Sequence, residues 1–466
     1  MLSSTNSMSH VEAKSALKIS SLDGHEIQIP DTIRCHLERQ YVGVSDSIPN
    51  GTKHMEKVLR GMKNPPLVTT LRINRIKIQD DKFLLEIQEE LSKWKTPDSD
   101  RPLFIVQQND VLDDVYEVIS NHEVSNIDSL SGFNVPPTKD EEAKDVINRL
   151  DKKWPVGHKV VICDTLCGEA VLRGSNIFVR GVMVADTGIV KNNEVAVYAH
   201  IPRKNERTLN RGMTVDNYQG HCVFLGLGVA KCSRAAMFNT QQGLAVEMSP
   251  LNETIAVGES LFSKRAGPMM PPLNGVLVDK MMLQNLPSAL VAHALSPKRK
   301  DVIFDMCSAP GGKTAHVASL VSNDALIVAA DKSRRKMTSS RSFFKNAGAT
   351  CIHPLALDST KCIISDKSDY KNVHEIIHEA SPSEKDGLLV VKGFYEGSFD
   401  RIVLDPPCSA LGLRPKLRVV FEDLDALERH TVYQRKFVKN AVALLKRGGT
   451  MTYSTCTINV SENEGK

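Results

Sequence analysis

The sequence predicts an α/β protein: a doubly wound parallel sheet fills the last two hundred residues, preceded by a small β-barrel and an N-terminal α/β region. Three observations carry this. Short apolar runs alternate with helical patterns after residue 290, Asp or Thr-Cys closes most of those runs, and strand-like segments crowd together between residues 158 and 250.

The parallel sheet is the clearest part. Candidate strands are 301–306, 325–331, 351–357, 400–406 and 450–455, with helical spacing between them. YQRKFVKNAVALLK shows the best helical spacing, and Gly448-Gly449 is expected to cap that helix at its C-terminus. Residues 361–398 are polar and irregular, too long for an ordinary connection, and read as a surface insertion.

In the middle of the chain, VVICDTLCGEAVLRGSNIFVRGVMVAD, EVAVYAH and HCVFLGLGVAKCS place short β-branched runs between Gly, Asn and Asp. This is the texture of an all-β barrel rather than of βα units. Before it, HLERQYV and FLLEIQEELSKW have helical spacing, while TTLRIN and PLFIVQQ read as strands. The expected boundaries are a mobile polar tail at 1–30, an α/β region at 31–157, the barrel at 158–250 and the sheet domain at 251–466.

The bulk composition narrows the function classes. A chain of 466 residues with 41% hydrophobic and 24% charged residues has the means to build several buried cores, and no apolar run is long enough to span a bilayer. The first twenty residues lack both a basic and an apolar segment, so no secretory signal is expected. Ten scattered cysteines argue for reduced thiols and a cytoplasmic location rather than a disulfide framework. A net charge of +4 confines any nucleic-acid surface to a local patch, for which Arg203, Lys204, Arg207 and Arg211 are one candidate and a solvated loop the alternative.

The first βα turn reads Asp305-Met306-Cys307-Ser308-Ala309-Pro310-Gly311-Gly312-Lys313-Thr314. A glycine pair there lets the backbone approach a ligand at a helix N-terminus. A phosphate-binding P-loop would need glycine where Cys307 stands, which argues against a nucleotide triphosphatase. Asp331 and Asp358 end the second and third strands, where carboxylates meet the ribose and adenine of an adenosine cofactor, although acids at such positions also cap helices.

DMCSAPGGKT, LDPPCSALG and YSTCT, in this order and each at a strand end, resemble the Sun-domain (Nol/Nop/Sun) family of RNA cytosine-5 methyltransferases. The resemblance covers residues 55 to 466 and includes PPLVTTLRIN and LQNLPSALVAHAL; it is strongest to the branch that carries a PUA domain, an RNA-binding barrel. It implies a Rossmann-like methyltransferase sheet, S-adenosylmethionine as cofactor held by Cys307 to Lys313 with Asp331, Asp358 and Asp405, and an RNA substrate. That branch methylates tRNA near the acceptor end and some mRNAs, here as an expected monomer.

The chemistry accounts for the motif residues. Carbon 5 of cytosine is a poor nucleophile until a group adds at C6, and a thiolate suits that addition. Protonation or hydrogen bonding at N3 eases it, which calls for an acid. Cys408 and Cys456 both follow strand ends and compete for the nucleophile's role. By resemblance Cys456 is the nucleophile, Cys408 assists release, Asp405 meets N3 as a carboxyl kept partly neutral by desolvation, and Lys313 orders the cofactor and base region. Amino-group methyltransferases follow DPP with an aromatic residue, and Cys408 stands in that place. In LRGSNIFVRG, Arg173 and Phe178 match the PUA stretch and offer phosphate and base contacts, while Phe178 as barrel core is the favoured alternative. Cys163, Cys167, Cys222 and Cys232 lack paired metal spacing, and no metal is expected.

Three departures from the family pattern stand out, two of them mild and near the base pocket. Ala410 stands where many relatives have glycine and Pro406 where alanine is common. The chain stops at Lys466, where relatives supply a last helix and hairpin; an RNA-binding module without turnover is therefore the alternative to an active enzyme.

Overall fold

The computed structural model describes residues 18–20, 25–42, 51–120, 158–249, 254–263 and 271–465, apart from 28, 67, 96–101, 203–208, 258–259, 272, 274 and 420–422. The chain divides into two compact units. One comprises Met1–Ile27, Lys63–Pro65 and Val135–Met269, and the other Gln28–Met62, Pro66–Asn134 and Met270–Lys466.

The first unit is built on a seven-stranded mixed sheet. Its path runs Ile177–Phe178, Leu244–Met248, His221–Ala230, Glu194–Ile201, Lys159–Cys163 and Val182–Ala185, and Lys18–Ser20 joins it parallel to His221–Val223. That pairing puts a strand inside the segment expected to be a mobile tail. Val160, Ile162, Val184, Ala196, Tyr198 and Cys222 fill one core between the strands. TLCGEAVL, expected as part of the strand-rich run, is a helix over Thr165–Leu172, because the Asp164 carboxylate accepts the Cys167 N–H at 2.7 Å and starts it.

The second unit contains a four-stranded antiparallel sheet and a five-stranded parallel one. In the antiparallel sheet Met281–Leu283 lies beside Thr69–Ile73, then Val115–Ser120 and Phe104–Gln108. The helices Asp31–Val42 and Asp80–Ser92 belong to this unit, as the helical spacing of HLERQYV and FLLEIQEELSKW predicts, and Gly51–Met62 is a further helix there.

The parallel sheet domain follows the chain as α1 (Leu286–Leu295), β1 (Val302–Asp305), α2 (Gly312–Leu320), β2 (Leu326–Asp331), α3 (Arg334–Asn346), β3 (Ile352–Ala356), α4 (Val373–Glu379), β4 (Phe399–Leu404), α5 (Leu424–Leu444) and β5 (Leu445–Tyr453). Strand order is β3-β2-β1-β4-β5, all parallel, the Rossmann-like arrangement. Alternation along each strand feeds two cores. Ile303, Ile327, Ala329 and Val403 pack against Ala315, Met337 and Phe344 of α2 and α3, whereas Phe304, Val328, Ile402 and Leu404 pack against Phe437 and Ala441 of α5. Phe304 stacks on Phe399 with centroids 4.8 Å apart; burying one such ring contributes about 1.5–3 kcal/mol.

Two expectations fail here for physical reasons. Gly448-Gly449 does not cap α5: the helix ends at Leu444, and the pair lies within β5, where Gly448 has φ 77° beside a register shift against β4. Residues 361–398 are not merely a surface insertion. They hold α4, opened by a capping box of Asn372 and Glu375, and they bury Val373, Leu388 and Phe394 in the sheet's cores.

Candidate active site

Strand order reverses between β1 and β4, so the loops after these strands open a crevice at the sheet's carboxyl edge. The loop after β1 is tightly tied. Ser308 donates its hydroxyl to Thr314 Oγ1 (2.6 Å), Thr314 donates onward to Asp305 Oδ2 (2.7 Å), and Ser308 N–H reaches the Ala330 carbonyl (2.8 Å). Burial pushes the Asp305 carboxyl up to about 7 despite these bonds. Gly311 begins α2 at φ 108°, and a Cβ there would meet the Phe344 ring at 2.5 Å. Gly312 has room, with its nearest neighbour at 3.6 Å, so of the predicted pair only Gly311 is forced by packing.

The strand-end acids do gather. Burial first, and then the charges of Asp305, Asp331, Asp405 and Asp358, push the Cys307 thiol up, so this cysteine is a protonated part of the loop. Asp331 accepts the Ser333 N–H through Oδ1 (2.7 Å), and among the described residues its Oδ2 takes no hydrogen bond. Asp358 is more fully engaged. It accepts Thr360 N–H and O–H at 3.1 and 2.6 Å and pairs with Lys332 at 3.2 Å; burial opposes its charge, yet these partners hold it below the usual carboxylate range. The capping alternative therefore describes much of Asp358 and less of Asp331. Tyr433 on α5, which the sequence reading missed, faces the same crevice; burial and then the Asp358 charge push its phenol up.

An acid-lined crevice over a glycine turn fits a cationic sulfonium cofactor carrying a ribose, so the residues present suit S-adenosylmethionine.

Beside this crevice stand the residues after β4 and β5. Lys313 Nζ lies 2.7 Å from Asp405 Oδ2, and Ser454 donates to Asp405 Oδ1 at 2.9 Å. The expected desolvated, partly neutral acid is instead an ion-paired carboxylate whose side chain is 32% exposed. Cys408 and Cys456 meet with their sulfurs 3.3 Å apart, and Cys456 N–H points at Cys408 Sγ from 3.4 Å. Either thiol can donate to the other. The hydrogen bond from Cys456, against the effect of burial, holds Cys408 down to about 7, and the same bond pushes Cys456 up. A crevice at the switch point, a paired lysine and aspartate, and two touching thiols form a site for covalent activation of a pyrimidine ring.

Comparison with known proteins agrees. The family model described as 16S rRNA methyltransferase RsmB/F matches residues 292–466. The mouse tRNA (cytosine(72)-C(5))-methyltransferase NSUN6 is 30% identical over 419 residues, spanning 88% of this chain and 72% of that protein. This chain belongs to the Nol/Nop/Sun family of RNA cytosine-5 methyltransferases. It is an S-adenosylmethionine-dependent enzyme that methylates carbon 5 of cytosine in RNA. An rRNA (cytosine-C(5))-methyltransferase of Arabidopsis thaliana, NOP2C, is 29% identical over 89% of this chain and 76% of its own. The crystal structure of NSun6 from Pyrococcus horikoshii with SFG shares the fold, with a TM-score of 0.60 and 24% identity over 94% of this chain and 85% of that one.

Behind α2 the structure brings together a group that the sequence did not signal. The buried Asp114 carboxylate receives Nε2 of His316 and of His293, each at 2.7 Å. Burial works against its charge, but these bonds hold it below the usual range, while burial lowers His316 to about 4. The three side chains are spaced as a metal set would be. Two features favour a hydrogen-bonded clamp. Both carboxylate oxygens are already occupied by imidazole donors, and buried Arg72, which burial lowers only to about 10, supplies the countercharge. Arg72 also reaches the Gly312 carbonyl at 3.3 Å and Gln284 at 2.8 Å, tying the antiparallel sheet to the start of α2.

The residues proposed from sequence for RNA capture lie in the first unit. Arg203, Lys204 and Arg207 fall outside the described residues. Phe178 is 51% exposed, which removes its reading as barrel core, and Arg173 is exposed as well. Arg211 is spent internally: it donates to the Val179 and Met237 carbonyls and lies over the Phe238 ring.

Proposed function

We propose that this enzyme acts on tRNA, that Cys456 is its nucleophile with Cys408 as the partner thiol, and that the strand-rich unit is a PUA barrel that captures the RNA. The observation that carries the catalytic part is the 3.3 Å contact between the two sulfurs, beside the Lys313–Asp405 pair. For the substrate, the support is that the mouse, human and Pyrococcus horikoshii relatives named for cytosine 72 of tRNA span 88–89% of this chain.

In this reading Cys408 rests as the thiolate and takes the Cys456 proton as the Cys456 sulfur bonds to C6. Lys313, held by Asp405, donates toward N3 and draws the electron pair released from the C5=C6 bond. S-adenosylmethionine, when bound, supplies the methyl group; Asp331 and Asp358 would hold its adenosine and Cys307 to Lys313 its amino-acid end. The C5 proton then leaves to a base, and the C6–S bond breaks with its electrons returning to Cys456. Cys408, in contact with that sulfur, assists this departure. Exposed Phe178 and Arg173 supply a ring and a guanidinium for a base and a phosphate.

The test is transfer of tritiated methyl from S-adenosylmethionine to transcripts of tRNA and of rRNA fragments, followed by nucleoside digestion. Label in 5-methylcytidine from tRNA supports the reading. Preferential labelling of rRNA would overturn the substrate, and RNA binding without any label would favour a binding module.

A further inference from the structure

We propose that Glu462 and Gln40 form a latch that positions Cys408 and Cys456 against each other. This rests on the reading of those cysteines as the working thiols.

Glu462 is fully buried, yet no cation pairs with it among the described residues. Its Oε2 accepts Ser409 N–H at 3.0 Å and Gln434 Nε2 at 2.9 Å, and its Oε1 accepts Asn459 Nδ2 at 3.0 Å. A buried charge held by neutral donors alone is costly. What it gains is reach: a carboxylate accepts from three directions at two oxygens, and a carboxamide offers only one. Those directions converge on the thiols. Ser409 follows Cys408 directly, and Gln434 also donates to the Pro407 carbonyl at 3.0 Å, so both flanks of Cys408 are fixed from one point. Across the gap, Ser409 Oγ meets Thr457 Oγ1 at 2.6 Å and Gly412 N–H reaches the Cys456 carbonyl at 2.9 Å.

Gln40, on the helix Asp31–Val42, completes the latch from more than 400 residues away. Its Nε2 lies 3.0 Å from Asn459 Oδ1 and 2.9 Å from Ser461 Oγ, and its Oε1 accepts Val460 N–H at 3.1 Å. By engaging Asn459 Oδ1, Gln40 turns the other end of that amide, the donor, toward Glu462. The charged groups that bear on the thiol pair are Asp405, Lys313 and Glu462. Neither latch residue touches the reacting atoms; both act through the Cys408 and Cys456 loops.

Two readouts on the full chain test this, with Glu462→Gln and Gln40→Ala. The first is the equilibrium of the Cys408–Cys456 pair with oxidised and reduced glutathione, read on the peptide pair by mass spectrometry. It reports the effective concentration of one thiol at the other and needs no RNA. The second is covalent capture of 5-fluorocytosine-containing RNA. Loosened loops should lower both by at least about 10-fold in each variant, with RNA and S-adenosylmethionine affinity unchanged. Should Glu462→Gln fail to fold, Gln40→Ala decides, since its side chain is only partly buried. Wild-type values in both readouts for Gln40→Ala would overturn the latch. A wild-type chain that captures no RNA, with the glutathione equilibrium still shifted in the variants, would leave the latch standing and remove the catalytic reading.

Discussion

Cys408 Sγ lies 3.3 Å from Cys456 Sγ, and the Cys456 backbone N–H is aimed at the Cys408 sulfur. That N–H and the Cys456 thiol both favour negative charge on Cys408, although Cys456 is the residue that resemblance makes the nucleophile. The two assignments agree if the thiolate of one activates the thiol of the other.

That arrangement sets a pH dependence. The hydrogen bond from Cys456 holds Cys408 down to about 7, so below that pH both thiols are protonated and addition slows. Single-turnover kcat/KM should rise with pH and level off above about 7. In Cys408→Ser the rising limb should move up toward the ordinary cysteine value of about 8.5. An unmoved limb would detach Cys408 from activation. The pair's contribution to folding stability is lost as pH falls through about 7, and above the unfolded thiols' pKa it is opposed by the raised Cys456, so it is greatest between those two limits.

If Cys408 also assists release, Cys408→Ala should accumulate a denaturant-resistant RNA–protein adduct during turnover. Gel electrophoresis in denaturant reads this directly, and a variant that turns over without adduct would withdraw the role.

Lys313 and Asp405 form a 2.7 Å ion pair aimed at the same crevice. Replacing Lys313 by Met removes the donor toward N3 and should lower kcat by about 10²–10³-fold. RNA affinity, measured by filter binding, should change little. A loss confined to affinity would make Lys313 a binding residue.

Ala410 has φ 54°, a left-handed conformation that a Cβ disfavours. Ala410→Gly should therefore stabilise the protein by about 1 kcal/mol, visible as a raised Tm. A lowered Tm would show that the methyl group's packing outweighs the backbone strain.

Phe178 is half exposed, so Phe178→Ala should leave Tm nearly unchanged. It should weaken RNA binding by about 1–3 kcal/mol, as for a lost stacking ring. Normal binding with a lowered Tm would return Phe178 to a packing role.

The sequence displayed what repeats at strand ends. Cys307 to Lys313, Asp405 and Cys408, and Cys456 each follow a parallel strand, and that local grammar located the crevice. It failed where structure depends on distant partners. Gln40 and Asn459, Asp114 and His316, or Glu462 and Ser409 are ordinary polar residues until the fold joins them. The Gly448-Gly449 pair misled because α5 runs directly into β5, leaving the glycines to shape a strand. Asp405 was expected as a desolvated acid because the motifs put Lys313 in the same region without showing that the two pair.

The most direct measurement is peptide mapping of the adduct formed between the full chain and tRNA containing 5-fluorocytosine, with S-adenosylmethionine present. The account predicts that the methylated nucleotide is attached at Cys456, and that Cys456→Ala forms no adduct. Attachment at Cys408, or an undiminished adduct in Cys456→Ala, would contradict it.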